Sequence, residues 1–134
     1  MTLPSRHISI SIDKPMKAVY DFVSDPLNLP KWAAGLSGSI RKEGDVWIAE
    51  SPMGSVQVAF VPSNDLGVLD HEVTLPSGET VYNPMRVFSN ADGCEIVFSL
   101  YQLPGMTEKQ YQQDARLVEM DLLQLKEIVE NIPG

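Results

Sequence analysis

A long helix pattern at the C-terminal end constrains the fold more than any other feature of this chain. Apolar side chains recur from Tyr111 to Ile132 at alternating steps of four and three, the spacing of one helix face. Thr107 and Gln110 form a capping box at its start, and Pro133-Gly134 ends it. At 1.5 Å per residue, the helix from Thr107 to Ile132 would be about 39 Å long. Because only one side is apolar, it needs a large apolar surface to lie on.

The residues before this helix predict short strands, which would supply that surface. Arg6–Ile12 alternates polar and apolar side chains and is typical of a half-buried strand. Six more strands are predicted around Ile40, Ile48, Val58, Val73, Met85 and Phe98. The turn sequences between them are too short for parallel crossovers, which favours an antiparallel meander.

Two short helices are predicted between the first strand and the meander. Asp13 is predicted to cap the first, with Pro15 in its first turn. Asp25 is predicted to cap the second, which carries Leu29 and Trp32 and ends in Ala33 to Gly38. The fold class is therefore α+β.

Length and composition bound the organisation and exclude several functions. The 134 residues fit one domain, 1–134, large enough to fold without a metal or disulfide, and Cys94 is the only cysteine. The net charge of −8 disfavours binding to nucleic acid or to an anionic membrane. The N-terminus lacks the apolar core of a signal peptide, and no apolar run approaches the length of a membrane span. We therefore expect a cytoplasmic protein that binds neither nucleic acid nor membrane.

The order of elements resembles the helix-grip fold of the START-like (SRPBCC) superfamily, in particular its polyketide cyclase/dehydrase-like members. The resemblance is best in an opening segment from Ile10 to Trp32, in a central hairpin from Gly67 to Pro76, and in a closing helix from Asp114 to Leu125. It implies a curved antiparallel sheet of six to seven strands wrapped around the long C-terminal helix. It also implies a cavity between the sheet and that helix.

The turns predict which side chains face this cavity. A three-residue loop at Pro76-Ser77-Gly78 and a four-residue loop at Asn90–Gly93 give two registers that agree on one apolar face. That face comprises Leu69, Val73, Leu75, Val81, Met85, Val87, Ile96, Phe98 and Leu100. His71 and Asn83 fall on the same face, directly opposite each other. Arg86 falls on the outer face, where a diagonal pair with Asp70 would contribute little.

The candidate ligand-binding residues follow from this register and from the resemblance. They are Trp32, His71, Asn83, Met85, Phe98 and Asp114. His71 and Asn83 are either a satisfied structural pair, a polar anchor for a ligand, or the seat of a catalytic histidine. Asp114, like Asp121 two turns later, is either a carboxylate on the helix flank or one aimed into the cavity mouth. Trp32 either lines the pocket or staples its helix to the sheet.

The sequence leaves three functions open. The first, which we favour, is the binding of a small hydrophobic or aromatic molecule. The second is an enzyme of the cyclase/dehydrase kind that uses His71 with Asn83 or Asp114, although no catalytic motif is evident. The third is a protein-interaction domain resembling co-chaperones. No cofactor or metal is expected, and a homodimer is left open. The facing of Trp47 and Glu50 is also left open, because the turn after them allows two registers.

Overall fold

A computed structural model of the protein describes residues 1–36 and 38–133. Ser37 and Gly134 lie outside the described residues. Ser37 belongs to the predicted loop after the second helix, and Gly134 to the predicted end of the last helix. The strands are β1 (Ser5–Ile12), β2 (Ile40–Glu43), β3 (Val46–Ser51), β4 (Gly54–Phe60), β5 (His71–Thr74), β6 (Thr80–Asn83), β7 (Met85–Asn90) and β8 (Gly93–Tyr101). The helices are α1 (Met16–Val23), α2 (Leu29–Trp32) and α3 (Glu108–Glu130), with 3₁₀ turns at Pro26–Asn28 and Ala34–Leu36.

The strands pair antiparallel in two groups, as the predicted α+β helix-grip architecture requires. One group has the order β1-β8-β7 and the other the order β2-β3-β4-β5-β6. The described residues contain one strand more than the predicted seven, because the strand expected around Met85 is divided at Pro84. Proline has no N–H for the ladder. The next N–H, that of Met85, donates to the Asp70 carboxylate instead of to a strand.

The predicted register of both hairpins is confirmed. His71 lies opposite Asn83 in the β5–β6 pair, and the N–H of Leu75 donates to the carbonyl of Glu79 across the three-residue loop. Met85 lies opposite Phe98 in the β7–β8 pair. The inward face of the sheet is therefore the one that the turns selected.

Helix α3 begins with the predicted capping box, in which both the Thr107 and the Gln110 side chains bond to backbone. Its apolar stripe is buried at Tyr111, Ala115, Leu122, Leu125 and Val129. The outer face of the helix also exposes three large apolar side chains, those of Leu117, Met120 and Leu123. No described helix is both long enough and apolar enough to cross a membrane.

The two predicted caps of the short helices had different outcomes. Asp25 does cap the second helical segment, since its carboxylate accepts from the N–H of Leu27. The predicted Asp13 cap is wrong, because α1 begins at Met16 with Pro15 before it and has no side-chain cap. The N–H of Asp13 donates instead to the Glu130 carboxylate, which ties the end of β1 to the end of α3.

Candidate functional site

A cavity of about 160 Å³ lies where α2 and the turn after it, strands of both groups and α3 meet. Its wall is mainly apolar, with one imidazole, one amide, one carboxyl and one indole among the side chains. The lining residues are Leu29, Trp32, Ala33, Gly35, Leu36, Val58, His71, Val73, Asn83, Phe98, Val118, Asp121 and Leu122. This is the predicted location, between the sheet and the C-terminal helix.

Four of the six predicted site residues line this cavity: Trp32, His71, Asn83 and Phe98. Met85 and Asp114 do not. Met85 is fully buried on the inward face, but it belongs to β7, beyond the break at Pro84. Asp114 lies two helical turns before Asp121, and Asp121 is the carboxylate that reaches the cavity.

Sequence reasoning also missed the part of the wall formed by Gly35 and Leu36. These residues belong to the 3₁₀ turn after α2. The apolar character of Leu36 favours burial, but no pattern in the sequence indicates which way so short a turn packs. Asp121 lies on the same face of the helix as Asp114, so the sequence offered both carboxylates. Only the position of the cavity along α3 decides which of them lines it.

His71 is buried as a neutral imidazole with one nitrogen fixed. Its Nδ1 lies 3.0 Å from the carbonyl oxygen of Leu69, which only accepts, so Nδ1 carries the proton. Burial lowers the pKa of His71 below its usual 6.5, an effect that exceeds the opposing influences of Leu69 and Asp70. The imidazole also packs against the rings of Phe60 and Phe98, with centroid distances of 4.9 and 6.1 Å.

The Nε2 atom of His71 is consequently an acceptor with no hydrogen-bond partner among the described residues. The hydrogen bond expected within a satisfied His71–Asn83 pair is absent from this part of the chain, although the two residues face each other. An imidazole with Nδ1 protonated and Nε2 bare presents a lone pair to whatever occupies the cavity. That arrangement accepts a hydrogen bond from a donor and offers none in return.

Trp32 contributes the complementary feature, a buried donor. Its side chain lines the cavity and is only 4% exposed, and its Nε1 is buried without a hydrogen-bond partner among the described residues. A buried donor left unpaired costs about 1–3 kcal/mol. Asp25 caps the turn that leads into α2 and so helps to place this indole.

Asp121 supplies the only acidic side chain of the wall among the described residues. Its Oδ1 accepts from the N–H of Ala34 at 3.1 Å, which ties α3 to the turn after α2. Burial raises the pKa of its carboxyl above the usual value, and the bond to Ala34 opposes that effect. The cavity wall includes no lysine or arginine in this part of the chain.

Asp70 forms a separate cluster on the other side of the sheet. Its carboxylate, which is 4% exposed, accepts from Nε and Nη2 of Arg86 at 2.9 Å each, from the Tyr82 hydroxyl at 2.6 Å and from the N–H of Met85 at 2.9 Å. These bonds, with that of Arg86 foremost, hold the pKa of Asp70 well below its usual range. The expected surface pair is therefore a half-buried network, and it bridges the break between β6 and β7.

The facing of Trp47 and Glu50 is resolved by strand pairing. Trp47 lies opposite the buried Val58, and residues directly opposite share a face, so Trp47 points inward near the sheet edge. Glu50 points outward, where it accepts from Arg41 and Ser55. Trp47 does not line the cavity.

Comparison with known proteins supports the fold. No protein-family model and no curated protein matches the chain. Solved structures do match over nearly its whole length. The aromatase/cyclase Zhui from Streptomyces sp. R1128 is 14% identical with a TM-score of 0.70, and the match covers 96% of this chain and 94% of that one.

Two further structures have the same architecture. XoxI from Bacillus cereus is 13% identical with a TM-score of 0.74, over 96% of this chain and 97% of that one. Ara h 8.0201 is 13% identical with a TM-score of 0.69, over 96% and 98% respectively. At this level of identity the likeness establishes the fold alone. The chain has the helix-grip fold that polyketide cyclase-like proteins share.

Proposed function

We propose that the protein binds a small hydrophobic or aromatic molecule in the cavity between the sheet and α3, for carriage or sensing. The observation that carries the proposal is the cavity itself, a mainly apolar space of about 160 Å³ with a few polar groups in its wall. Ligand sites commonly combine apolar walls with a few polar groups that fix orientation.

The size of the cavity supports a ligand of about one ring. An engineered apolar cavity of about 150 Å³ holds benzene. A longer chain or several fused rings would extend out of this space or require the wall to move apart. A compact ring is therefore the occupant that the present geometry fits best.

The arrangement of polar groups favours binding over catalysis. The enzyme hypothesis pairs His71 with Asn83 or Asp114. Asp114 does not reach the cavity, and Asn83 lines it but shares no side-chain hydrogen bond with His71 among the described residues. His71 and Asp121 both line it, but each bonds to backbone and not to the other. The interaction hypothesis expected a filled cavity together with an exposed apolar patch. The outer face of α3 does expose Leu117, Met120 and Leu123, but the cavity is not filled. A homodimer is still left open, and sedimentation velocity at several protein concentrations would test it.

Native mass spectrometry of freshly purified protein tests the proposal directly, because a tightly held molecule would add its mass to the chain. If no molecule is retained, toluene can be titrated into the protein while its binding is monitored through the amide NMR signals. We expect saturable shifts confined to the cavity wall, together with a raised melting temperature, because a ligand that binds only the folded state stabilises it.

A blocking variant identifies the site. Val118 lies half-buried in the cavity wall on α3, and Val118→Trp should fill the space and abolish toluene binding. Leu117 is 49% exposed on the outer face of the same helix, so Leu117→Trp is the matched control and should bind as the parent does. Equal binding by both variants would show that toluene sits elsewhere and would overturn the proposed site.

A further inference from the structure

Asp121 brings a negative charge to the cavity, and its carboxylate lies at the most exposed part of the wall. Its Oδ1 accepts from the N–H of Ala34, which is an exposed residue, and the neighbouring Gly35 of the wall is exposed as well. Other side chains of the wall are at most 8% exposed, namely those of Leu29, Trp32, Val58, His71, Phe98 and Leu122. An occupant therefore meets mainly apolar surface deep in the cavity and a carboxylate at its mouth.

The Asp121 carboxylate has no cationic partner among the described residues. None of the ion pairs in this part of the chain includes it, and the wall holds no lysine or arginine there. Its second oxygen, Oδ2, has no hydrogen-bond partner among the described residues and is not one of their fully buried unpaired atoms, so Oδ2 keeps accessible surface. The raised pKa of the carboxyl agrees with a half-buried acid that lacks a nearby cation.

The other polar groups of the wall add no positive charge. His71 is a neutral imidazole whose proton is held on Nδ1 by the carbonyl of Leu69, so Nε2 can only accept. Asn83 carries an uncharged amide, and the indole nitrogen of Trp32 is enclosed by protein. A ligand carboxylate would therefore meet a like charge at the mouth, with no cation among the described wall residues to offset it. A ligand cation would meet an unpaired carboxylate.

We propose, on the basis of the proposed function, that the ligand is a one-ring amine in its protonated form, with its ring in the apolar cavity and its ammonium group at the mouth against Asp121 Oδ2. The ring contacts the apolar wall that includes Val58, Phe98 and Leu122. A short carbon linker carries the ammonium group towards the exposed rim, where it keeps part of its hydration and the cost of desolvation is reduced. The net charge of −8 also favours the approach of a cation.

Four one-ring probes that differ in charge test the proposal in the parent protein. Benzylammonium is positively charged at neutral pH, benzyl alcohol is its uncharged counterpart of similar size, toluene lacks the polar group, and benzoate is negatively charged. We expect benzylammonium to bind more tightly than benzyl alcohol by roughly three- to tenfold, the effect of a charge-assisted hydrogen bond that stays partly solvated. Benzoate should bind most weakly.

Asp121→Asn removes the charge and keeps the shape of the side chain. The asparagine oxygen can still accept from the N–H of Ala34, so the tie between α3 and the turn after α2 is preserved. The ratio of benzylammonium to benzyl alcohol affinity should fall by roughly three- to tenfold in this variant. Toluene should bind as tightly as it does to the parent, which also shows that the variant is folded.

Asp114→Asn is the matched control. It removes the same charge two helical turns away on the same face of α3, outside the cavity wall. The ratio of benzylammonium to benzyl alcohol affinity should stay at the parent value. A change in overall charge affects both variants alike, so the difference between them isolates the contact at the mouth.

The carboxyl carbon resonance of Asp121 reports the contact without any mutation. Benzylammonium should shift this resonance and the amide resonance of Ala34, whose N–H bonds to the same carboxylate. Toluene should leave the carboxyl carbon where it was. This readout remains interpretable if Asp121→Asn fails to fold.

The outcomes separate this proposal from the one it rests on. If benzyl alcohol or benzoate binds the parent as tightly as benzylammonium does, the amine assignment is overturned while ring binding stands, and Asp121 serves only to tie α3 to the turn after α2. An equal fall of the ratio in Asp114→Asn would also overturn it, because overall charge would then explain the preference. If no ring of the series binds in the cavity, the proposed function itself fails.

Discussion

Single side chains of this protein are most informative where they are polar and buried. Sequence alone placed His71 on the inward face, because two independent turns set the same register. Its hydrogen-bond partner was not predictable, since whether an imidazole bonds to Asn83 or to the carbonyl of Leu69 depends on a ring rotation that strand pairing does not fix. The unpaired state of Trp32 Nε1 was equally unpredictable from the sequence, because α2 is only four residues long and its orientation comes from tertiary packing.

The burial of neutral His71 should make stability depend on pH below neutrality. Its pKa is lowered in the folded protein, while in the unfolded chain it titrates near 6.5, so the unfolded state binds the proton first as the pH falls. Stability is thus fully present above pH 6.5 and is lost as the pH falls from there towards the folded pKa. The raised pKa of Asp121 acts in the opposite direction. Urea unfolding between about pH 7 and 5 should show a steeper loss in the parent than in His71→Phe. His7→Gln, at an exposed position, is the control, and an identical slope in all three proteins would contradict the prediction.

The Asp70 network should govern acid stability at still lower pH. The pKa of Asp70 is depressed in the folded state, so its contribution is present above the unfolded value near 3.9 and is lost as the pH falls below it. Asp70→Asn places an amide NH₂ among four donors and should cost about 2 kcal/mol at neutral pH. It should also flatten the acid limb of the stability curve.

Asp21→Asn, which removes an exposed pair with Lys17, should cost less than about 0.5 kcal/mol. Equal losses in the two variants would show that the network is not structural.

At the scale of elements, helix α3 was the best predicted part of the molecule. Its cap, its length to within a few residues and its buried stripe all followed from periodicity, because a long one-sided pattern has few alternatives. The division of a strand at Pro84 was not predicted. It depends on Asp70, which directly precedes β5, accepting the N–H of Met85, and no local pattern encodes that bond.

The stripe on α3 predicts which leucines of that helix matter for stability. Leu122 and Leu125 are 1% and 0% exposed, whereas Leu123 between them is 58% exposed. Leu122→Ala and Leu125→Ala should each lower the free energy of unfolding by about 2–5 kcal/mol, the range for truncated core leucines. Leu123→Ala should change it by less than about 0.5 kcal/mol. Urea melts with losses below that value for the two core variants would show that the stripe is not part of the core.

The connection into β5 depends on one glycine. Gly67 has φ of +75°, and a Cβ there would lie 2.0 Å from the carbonyl oxygen of Val87. Gly67→Ala should therefore cost about 3 kcal/mol or more, because both the conformation and the contact oppose it. Gly78 has a similar φ of +91° but open space around it, so Gly78→Ala should cost only about 1–2 kcal/mol. Thermal melts of the two variants separate steric clash from backbone strain, and equal losses would rule the clash out.

At the scale of the whole molecule, element order and register identified the architecture, while the ligand could not be inferred from the same patterns. The fold depends on many apolar positions that repeat, so errors at single residues average out. The cavity depends on which individual side chains reach it, such as Asp121 in place of Asp114, and their positions are set by several elements at once. Fold and site therefore differ in how much of each a sequence reveals.

The net charge carries a last prediction, the absence of nucleic-acid binding. Lysine and arginine number 10 against 18 aspartates and glutamates, and part of that small basic set is already committed to acidic partners, as Arg86 is to Asp70 and Lys126 to Glu130. Sequence-independent binding requires clustered cations that release counterions from phosphates.

Fluorescence anisotropy with a labelled duplex and a labelled single strand should therefore show no saturable binding up to about 100 μM protein at physiological salt. Non-specific binders have dissociation constants of about 1–100 μM under these conditions. Repeating the titration at about 50 mM salt strengthens any electrostatic term and makes the test stricter. A basic protein of similar size serves as the positive control. Saturable binding that weakens as salt rises would contradict the prediction and would point to a cationic surface that the overall charge conceals.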